Sequence, residues 1–192
     1  EQEKIAKFLD EQVERIDTTI AKKQRLIELL KEKRTATINH AVTKGLDPDV
    51  ELVDSGIDWI GEIPKGWQTK RLTTLANVNA SNVDKHIADD EEIVQVCNYV
   101  DVYKNEYISN TLSFLQASAS DAQINKFRLM EGDVFLTKDS EAAEDIGVPA
   151  FVEQDIENTV LGYHLYQVRV NDRDLEPEFL FRFLQSKFAN AW

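Results

Sequence analysis

The sequence predicts an α+β protein, in which one long helix precedes a domain of mixed α and β elements. Two observations predict this class. No glycine or proline occurs before Gly45, and the apolar residues of this first part recur in a heptad rhythm. From residue 67 onward, short β-rich runs are interspersed with helical spacings and turn residues. We therefore divide the chain into a helix (1–45), a connector (46–66) and a domain (67–192).

The helix is predicted to pair with another helix through an apolar stripe. The stripe has a 4-3 spacing, which favours a left-handed coiled coil or bundle seam. After Ala6, the expected helix-pairing residues are Leu9, Val13, Ile16, Ile20, Ile27 and Leu30. The stripe is interrupted by Lys23, Arg34 and Thr37. These residues either lie at the solvated ends of a helix pair, or control the register of the pair or contact another subunit. Gly45 is available as a left-handed cap.

This coiled-coil-forming helix needs a partner. About 44 residues at 1.5 Å rise form a rod of roughly 65 Å, which cannot bury its stripe alone. No second helical pattern of comparable length follows in the sequence. Either two copies associate, or the partner lies in sequence outside this chain.

Turn signals and short periodic runs divide the rest of the chain. The connector contains Asp47-Pro48, Ser55-Gly56 and Pro64-Lys65-Gly66. In the domain, strands are predicted at 93–96, 99–107, 134–137, 148–152 and 165–170. Ser118 or Ser120 is expected to cap a short helix through about Lys126, and residues 138–147 to form an exposed loop. A helix is predicted after Pro177.

The charge is distributed unevenly between helix and domain. The whole chain carries a net charge of -13. Residues 1–44 hold 10 basic and 8 acidic side chains, a net charge of +2, whereas residues 45–192 hold 12 basic and 27 acidic side chains, a net charge of -15. On composition alone, this argues against a nucleic-acid binder, because neutralising phosphates requires lysine and arginine.

The sequence contains no recognisable catalytic or metal-binding constellation. It has no GxGxxG, Walker A, HExxH or GxSxG motif, and its three histidines are far apart in sequence. The acidic run 89–92 is typical of a solvated surface turn. The single cysteine, Cys97, excludes a disulfide framework and a CxxC zinc site, and it is expected to be buried. No apolar run approaches the ~20 residues that span a bilayer, and a reducing cytoplasmic setting fits.

Several stretches resemble one protein family. Residues 1–48, EQEKIAKFLDEQVERIDTTIAKKQRLIELLKEKRTATINHAVTKGLDP, resemble the central conserved region of the specificity subunit of type I restriction-modification systems. The connector stretch DSGIDWIGEIPKGW (54–67) is similar to the segment that leads into that subunit's second target-recognition domain. The stretches GDVFLTKDSEAAEDIGVPAFV (132–152) and LGYHLYQVRV (161–170) are similar to the interior of such a domain.

The resemblance implies a non-catalytic, prokaryotic, cytoplasmic DNA-recognition subunit. In this family, two target-recognition domains each read one half of a bipartite site on double-stranded DNA. Two conserved helices pair antiparallel, hold the domains apart and dock the methyltransferase (modification) subunits. The resemblance thus implies three further partners: the second conserved helix, the methyltransferase subunit and the restriction (nuclease and translocase) subunit. It places S-adenosylmethionine, ATP and magnesium on partner subunits, and no cofactor on this chain.

The chain departs from the family in its extent. It begins at the first conserved helix and stops at Trp192, inside what the resemblance identifies as one target-recognition domain, so we expect that domain to be incomplete at its C-terminus. We interpret the chain as a piece of a longer subunit. A naturally half-sized subunit that dimerises is the alternative.

Candidate DNA-contacting residues are polar or basic side chains at strand ends and loops. They are Thr137, Lys138, Asp139 and Ser140; Tyr163 and His164; Asn98 and Tyr99; and Lys126 and Arg128. Each has a structural alternative. Lys138 could be a surface lysine paired with Asp139 or Glu141, Tyr163 and His164 could be core residues, Asn98 could be a turn residue, and the last pair could be a solvated helix end.

Two other functions remain open. The chain could be a coiled-coil assembly or protein-interaction module whose acidic domain binds protein and not DNA. It could also be the recognition module of a larger fused methyltransferase-nuclease. Composition alone favours the first of these alternatives, whereas the family resemblance favours the specificity subunit.

Overall fold

The computed structural model describes residues 1–189 and confirms the α+β class. The predicted long helix is α1 (Gln2–Lys44). It ends at Gly45, whose backbone N–H donates to the carbonyl of Ala41. The cap is not the left-handed one that we expected, because Gly45 has φ 76° and ψ -164°, a conformation that glycine alone adopts readily. The last three residues of the predicted domain, 190–192, lie outside the described residues.

The elements after α1 are short, and most of them are strands. In chain order they are β1 (Leu52–Asp54), β2 (Glu62–Pro64), α2 (Leu72–Leu75), β3 (Ala76–Ala80), β4 (Glu92–Cys97), α3 (Tyr99–Lys104), β5 (Tyr107–Ile108), β6 (Leu115–Ala119), α4 (Asp121–Phe127), β7 (Arg128–Leu129), β8 (Val134–Thr137), a 3-10 turn (Ala143–Asp145), β9 (Pro149–Val152), β10 (Ile156–Leu161), β11 (Leu165–Val170) and α5 (Pro177–Leu184).

The strands form three sheets. β1 and β2 make an antiparallel pair within the connector. One domain sheet has the order β6-β4-β10-β7, and the other has the order β3-β11-β8-β9-β5. The pairs β4–β10 and β5–β9 are parallel and the other pairs are antiparallel.

The core lies on both faces of the five-stranded sheet. Phe135 belongs to the larger apolar cluster, together with Val94 and Val160 of the four-stranded sheet. Its neighbour Val134 belongs to a second cluster that includes Phe181 of α5. Successive strand residues point to opposite faces. The five-stranded sheet is therefore the middle layer, with the other sheet on one side and α5 on the other.

The segment 99–107 corrects a prediction. We expected one strand there, because tyrosine and valine favour strands. The structure has helix α3 followed by β5. Asn98 explains the difference: its side-chain oxygen accepts from the N–H of Val100, and the Asp101 carboxylate accepts from the N–H of Asn98. This capping box starts a helix and overrides the β preference of the residues that follow.

Helix α1 contacts the domain through its C-terminal part. Residues 1–37 are exposed apart from Gln12, which is partly buried, whereas Val42 and Thr43 are buried. The Lys44 ammonium donates to the carbonyl of Glu62 at 2.9 Å, and the N–H of Lys187 donates to the Asn39 side chain at 3.0 Å. Most of α1 therefore projects from the domain as an exposed rod.

Candidate nucleic-acid interface

Three of the four predicted DNA-contacting segments meet at one end of the domain. Strands β8 and β11 are paired so that Thr137 faces Leu165, which places residues 137–140 beside His164. Strands β4 and β10 run parallel with Cys97 opposite Leu161. Asn98 therefore follows β4 at the same end at which Gly162 follows β10. We call the group of residues 98–99, 137–140 and 163–164 the strand-end cluster.

Gly162 brings two of these segments into close contact. Its N–H donates to the carbonyl of Cys97 at 2.8 Å. A Cβ atom at this position would lie 3.0 Å from Val96 Cγ1, 3.1 Å from the Cys97 carbonyl oxygen and 3.5 Å from Asn98 Cα. A larger residue would therefore push the two strand ends apart, which explains why glycine precedes Tyr163.

Thr137 holds the loop that follows β8. Its side chain is buried, and its hydroxyl donates to the carbonyl of Asp145 at 2.5 Å while accepting from the N–H of Val148 at 2.9 Å. These two bonds close the loop 138–147 onto the end of the strand. Ser140 stabilises the turn inside the loop, where its hydroxyl accepts from the N–H of Ala142 at 3.2 Å.

Lys138 is held in a defined position at the mouth of this loop. Its N–H donates to the carbonyl of His164 at 2.9 Å, and its ammonium donates to the carbonyl of Tyr163 at 3.0 Å. The ammonium also lies 3.4 Å from Asp139 Oδ2, and its side chain is one-quarter exposed. Lys138 is thus paired with Asp139, one of the two alternatives set out above, and the pair is part of a larger cluster.

Asp139 also contacts the imidazole of His164. Its Oδ2 lies 3.0 Å from His164 Nδ1, and the ring centroids of Tyr163 and His164 are 3.7 Å apart. The hydrogen bond from His164, together with the charge of Lys138, holds the pKa of Asp139 below its ordinary value. The Asp139 carboxylate therefore offsets the positive charge of Lys138.

Asn98 and Tyr99 lie at the start of helix α3, at the edge of the cluster. Asn98 is the helix cap described above, and the Tyr99 ring stacks on that of Tyr103 with centroids 5.7 Å apart. Tyr103 interacts with the Asp145 carboxylate and therefore lies beside the loop 138–147. The hydrogen bond to Asp145, together with the negative charge of that carboxylate, raises the pKa of Tyr103. We did not predict Tyr103. The sequence signal for it was the i,i+4 spacing of Tyr99 and Tyr103 after an Asn-x-x-Asp helix cap, because residues four apart lie on the same face of a helix.

Lys126 and Arg128 lie apart from the strand-end cluster. Both are exposed, at the junction of α4 and β7. The Lys126 ammonium lies 5.2 Å from the centroid of the Phe127 ring, and the Arg128 carbonyl accepts from Arg169 at 3.0 Å. Among the described residues, no hydrogen bond or ion pair connects either of them with Lys138.

A buried ion pair lies beside Arg128, at the opposite end of β8 from Thr137. The Asp133 carboxylate accepts from Arg169 Nε and Nη2, both at 2.6 Å, and from the N–H of Met130 at 3.1 Å. Asp133 is 1% exposed. Burial raises the pKa of Asp133 and Arg169 opposes that effect, while the hydrogen bond to Asp133 raises the pKa of Arg169. Arg169 is thus a structural cation.

The predicted helix-pairing residues form an open apolar stripe. Leu9, Val13, Ile16, Ile20, Ile27 and Leu30 are each about half exposed, between 48% and 58%. Leu26 and Leu29 widen this stripe. Arg34, which interrupts the stripe, has a half-exposed side chain. Its guanidinium bonds to Glu106 of the domain.

Three further features of residues 1–189 concern metal ligands, the single cysteine and the apolar length of the helices. No group of three histidine, cysteine, aspartate or glutamate side chains among them is placed to hold a metal ion. Cys97 is fully buried, as expected, and burial raises its pKa well above the usual value. Across the same residues, no helix has the length and apolar character needed to cross a membrane.

Comparison with solved structures shows a similar fold in an HsdS subunit. The fold is similar to that of the HsdS subunit from Thermoanaerobacter tengcongensis, with a TM-score of 0.53 and 13% sequence identity over 93% of this chain and 40% of that chain. This chain therefore spans about two-fifths of the length of that subunit. A structure concerned with complex assembly and conformational transition of the type I R-M system has a TM-score of 0.47 and 13% identity over 87% of this chain and 38% of that chain, too low a score to add weight.

Sequence comparisons give no further assignment. No protein-family model matches the chain, and no curated protein sequence matches it. The similarity to the HsdS subunit is thus a similarity of fold, and it agrees with the family that the sequence resembles.

Proposed function

We propose that this chain is the DNA-recognition part of a type I restriction-modification specificity subunit. In this proposal it is non-catalytic and reads one half of a bipartite site on double-stranded DNA. The observation that carries the proposal is the strand-end cluster. The residues of this cluster come from separate stretches of the sequence, and each suits base or phosphate contact. They lie together at one end of the domain, whose fold is similar to that of an HsdS subunit.

The chemistry of the strand-end cluster suits a polynucleotide. Lys138 offers an ammonium that is already oriented by the Tyr163 carbonyl. His164 and the Tyr163 ring offer ring nitrogens and an aromatic surface beside it. Hydrogen-bond donors and acceptors on strand-end loops can contact base edges, while a lysine positions a phosphate. An approaching phosphate would compete with Asp139 for the Lys138 ammonium and for a hydrogen bond from the His164 ring.

The charge of the domain limits how strongly it binds DNA by itself. Residues 45–192 carry a net charge of -15, so affinity cannot come from a general positive field. In this proposal, affinity comes from the strand-end cluster and from partner subunits that surround the duplex. We therefore expect the isolated chain to bind DNA weakly.

Helix α1 supplies the contact with the remainder of the complex. We propose that its open stripe pairs with the second conserved helix and that the pair docks the methyltransferase subunit, while the restriction subunit joins the assembled complex. Methylation and cleavage, with S-adenosylmethionine, ATP and magnesium, belong to those partners. The half-exposed side chains from Leu9 to Leu30 support an assembly role, because water-exposed leucine and isoleucine in a heptad rhythm favour helix association.

A DNA titration tests this function. We would add a labelled bipartite duplex to the complex reconstituted with the complete subunit, using a duplex with one scrambled half-site as the control. Lys138→Ala should weaken binding about tenfold, which corresponds to about 1.4 kcal/mol, and lower the salt dependence by about one phosphate contact. Lys65→Ala is the matched control, because Lys65 is an exposed lysine of the connector that pairs with Glu51.

The alternative is a protein-interaction module, which the acidic domain favours. It would be supported if the complex bound the intact and the scrambled duplex equally, or bound neither at moderate salt. Equal affinity of the Lys138→Ala and Lys65→Ala complexes would refute the role of Lys138. Tight specific binding by the isolated chain would show that our explanation of the charge is wrong.

A further inference from the structure

Glu106 joins helix α1 to the domain. Its Oε1 accepts from the Arg34 guanidinium of α1 at 2.5 Å and from the Arg182 guanidinium of α5 at 2.6 Å. Glu106 itself lies immediately before β5. One carboxylate therefore connects three elements: the long helix, the five-stranded sheet and the last described helix.

Arg182 fixes the domain side of this contact. It also donates to the Gln185 side chain at 3.0 Å and to the hydroxyl of Tyr107, and it lies over the Tyr107 and Phe181 rings at 5.6 and 5.0 Å from their centroids. Its side chain is 29% exposed. Arg34 is 50% exposed and makes no other described hydrogen bond or ion pair. Glu106 is thus held by the domain, and Arg34 is the partner that can detach.

Arg34 is the outermost residue of α1 that makes a described hydrogen bond or ion pair with the domain. The next one is Asn39, which accepts from Lys187. At 1.5 Å per residue, Arg34 lies about 15 Å from the helix end at Lys44, and Asn39 lies about 8 Å from it. The Arg34 contact therefore about doubles the length over which the domain fixes the direction of the helix.

The exposed rod magnifies any movement at this contact. The start of the helix lies about 63 Å from Lys44, about four times as far as Arg34. A shift of about 1 Å at Arg34, with the helix pivoting at Lys44, therefore moves the start of the helix by about 4 Å. This displacement is comparable with the 3.4 Å spacing of base pairs along a DNA strand.

We propose that Arg34, Glu106 and Arg182 form a latch that sets the angle between α1 and the domain, and thereby sets the length of the spacer between the two half-sites. The part concerning spacer length rests on the proposed function. The part concerning the angle does not, because it follows from the contacts within this chain. Arg34 and Glu106 are then positioning residues. They affect DNA recognition indirectly, because they fix the direction of α1.

Distance measurements between spin labels test the angle directly. Labels are placed at Lys22→Cys on the rod and Glu153→Cys on the domain, both exposed positions, while the native Cys97 is buried and stays unlabelled. Arg34→Gln should broaden the distribution of label distances, since the latch opens while Glu106 and Arg182 remain paired. Lys22 lies about 33 Å from Lys44, so displacements at Arg34 are magnified about twofold there.

Two further variants make this measurement decisive. Arg25→Gln is the matched control, because Arg25 lies on the same helix and pairs with Glu28 within the helix at 3.0 Å. It should leave the distribution unchanged. Glu106→Gln should broaden it, and the double variant with Arg34→Gln should add little, since both changes remove the same contact. An unchanged distribution in Arg34→Gln, with a wild-type thermal transition, overturns the latch.

Binding to duplexes of different spacer length tests the consequence. With the complete subunit in its reconstituted complex, we would compare the preferred spacer with spacers one base pair shorter and longer. Arg34→Gln should reduce the preference by up to about fivefold, the limit for a partly exposed ion pair, and Arg25→Gln should not. A preserved preference alongside a broadened label distribution refutes the link to spacing. If the wild-type complex binds no duplex, the proposed function fails, and the label distances alone decide the latch.

Discussion

Replacing Asp133 by asparagine should destabilise the domain by about 3 kcal/mol. The carboxylate accepts three hydrogen bonds from Arg169 and the Met130 N–H, at 2.6, 2.6 and 3.1 Å. Asparagine offers one acceptor oxygen, so its amide nitrogen would face at least one donor, and the charge of Arg169 would lose its partner. Breaking a buried pair typically costs about 3–5 kcal/mol, and we expect the lower end because Arg169 is 28% exposed and can gain water.

Urea unfolding, followed by the fluorescence of Trp59 and Trp67, measures this loss. Glu51→Gln is the control, since the Glu51–Lys65 pair has a similar distance of 2.7 Å, but both its side chains are more than 60% exposed. That change should cost less than about 1 kcal/mol. The two pairs differ in burial and in the number of hydrogen bonds that the carboxylate accepts. Similar losses of unfolding free energy in both variants would refute the argument that burial decides the contribution of Asp133.

Two more predictions concern helix α1. Ile16→Asp combined with Ile20→Asp should abolish assembly with the methyltransferase subunit, because both residues lie on the open stripe; unchanged co-elution in size-exclusion chromatography would contradict the stripe. The second concerns pH. Partial burial alone would raise the pKa of Glu106, but hydrogen bonds from Gln185 and Arg182 and the charges of Arg34 and Arg182 hold it below its ordinary 4.5. Its contribution to stability is therefore present above pH 4.5 and is lost as the pH falls through the lowered pKa. The difference in unfolding free energy between wild type and Glu106→Gln should shrink over that range, and a difference that is constant down to about pH 3 would contradict this reasoning.

The sequence predicted several of the elements whose pattern is local and strong, but it did not predict the strand Ile156–Leu161. Val134–Thr137 and Leu165–Val170 are rich in β-branched or aromatic residues and are strands as expected. Pro177 begins the last helix, where proline suits the first turn. Strands β3 and β6 were missed because ANVNA and LQASA consist mainly of small and polar residues. They are strands because they pair with β11 and β4, and this pairing cannot be predicted from the local sequence.

The strand-end cluster was predicted in its parts and not as a whole. Each segment was recognisable from polar or aromatic residues that directly follow or precede a predicted strand. Their proximity depends on the registers Thr137–Leu165 and Cys97–Leu161, which join residues far apart in the chain. Tyr103 was missed because the segment that contains it was assigned to a strand, and a strand would not have stacked it on Tyr99.

The contacts of the basic residues sharpen the meaning of the acidic charge. Arg169 is paired with buried Asp133, and Arg182 is paired with Glu106, so both stabilise the fold and are not free to meet phosphates. Lys138 is one-quarter exposed and close to a single exposed carboxylate, that of Asp139. This pair is weak and exchangeable because the Asp139 carboxylate is 53% exposed, whereas the Asp133 carboxylate is 1% exposed. The count of basic residues therefore overstates the cations that the domain can offer to DNA.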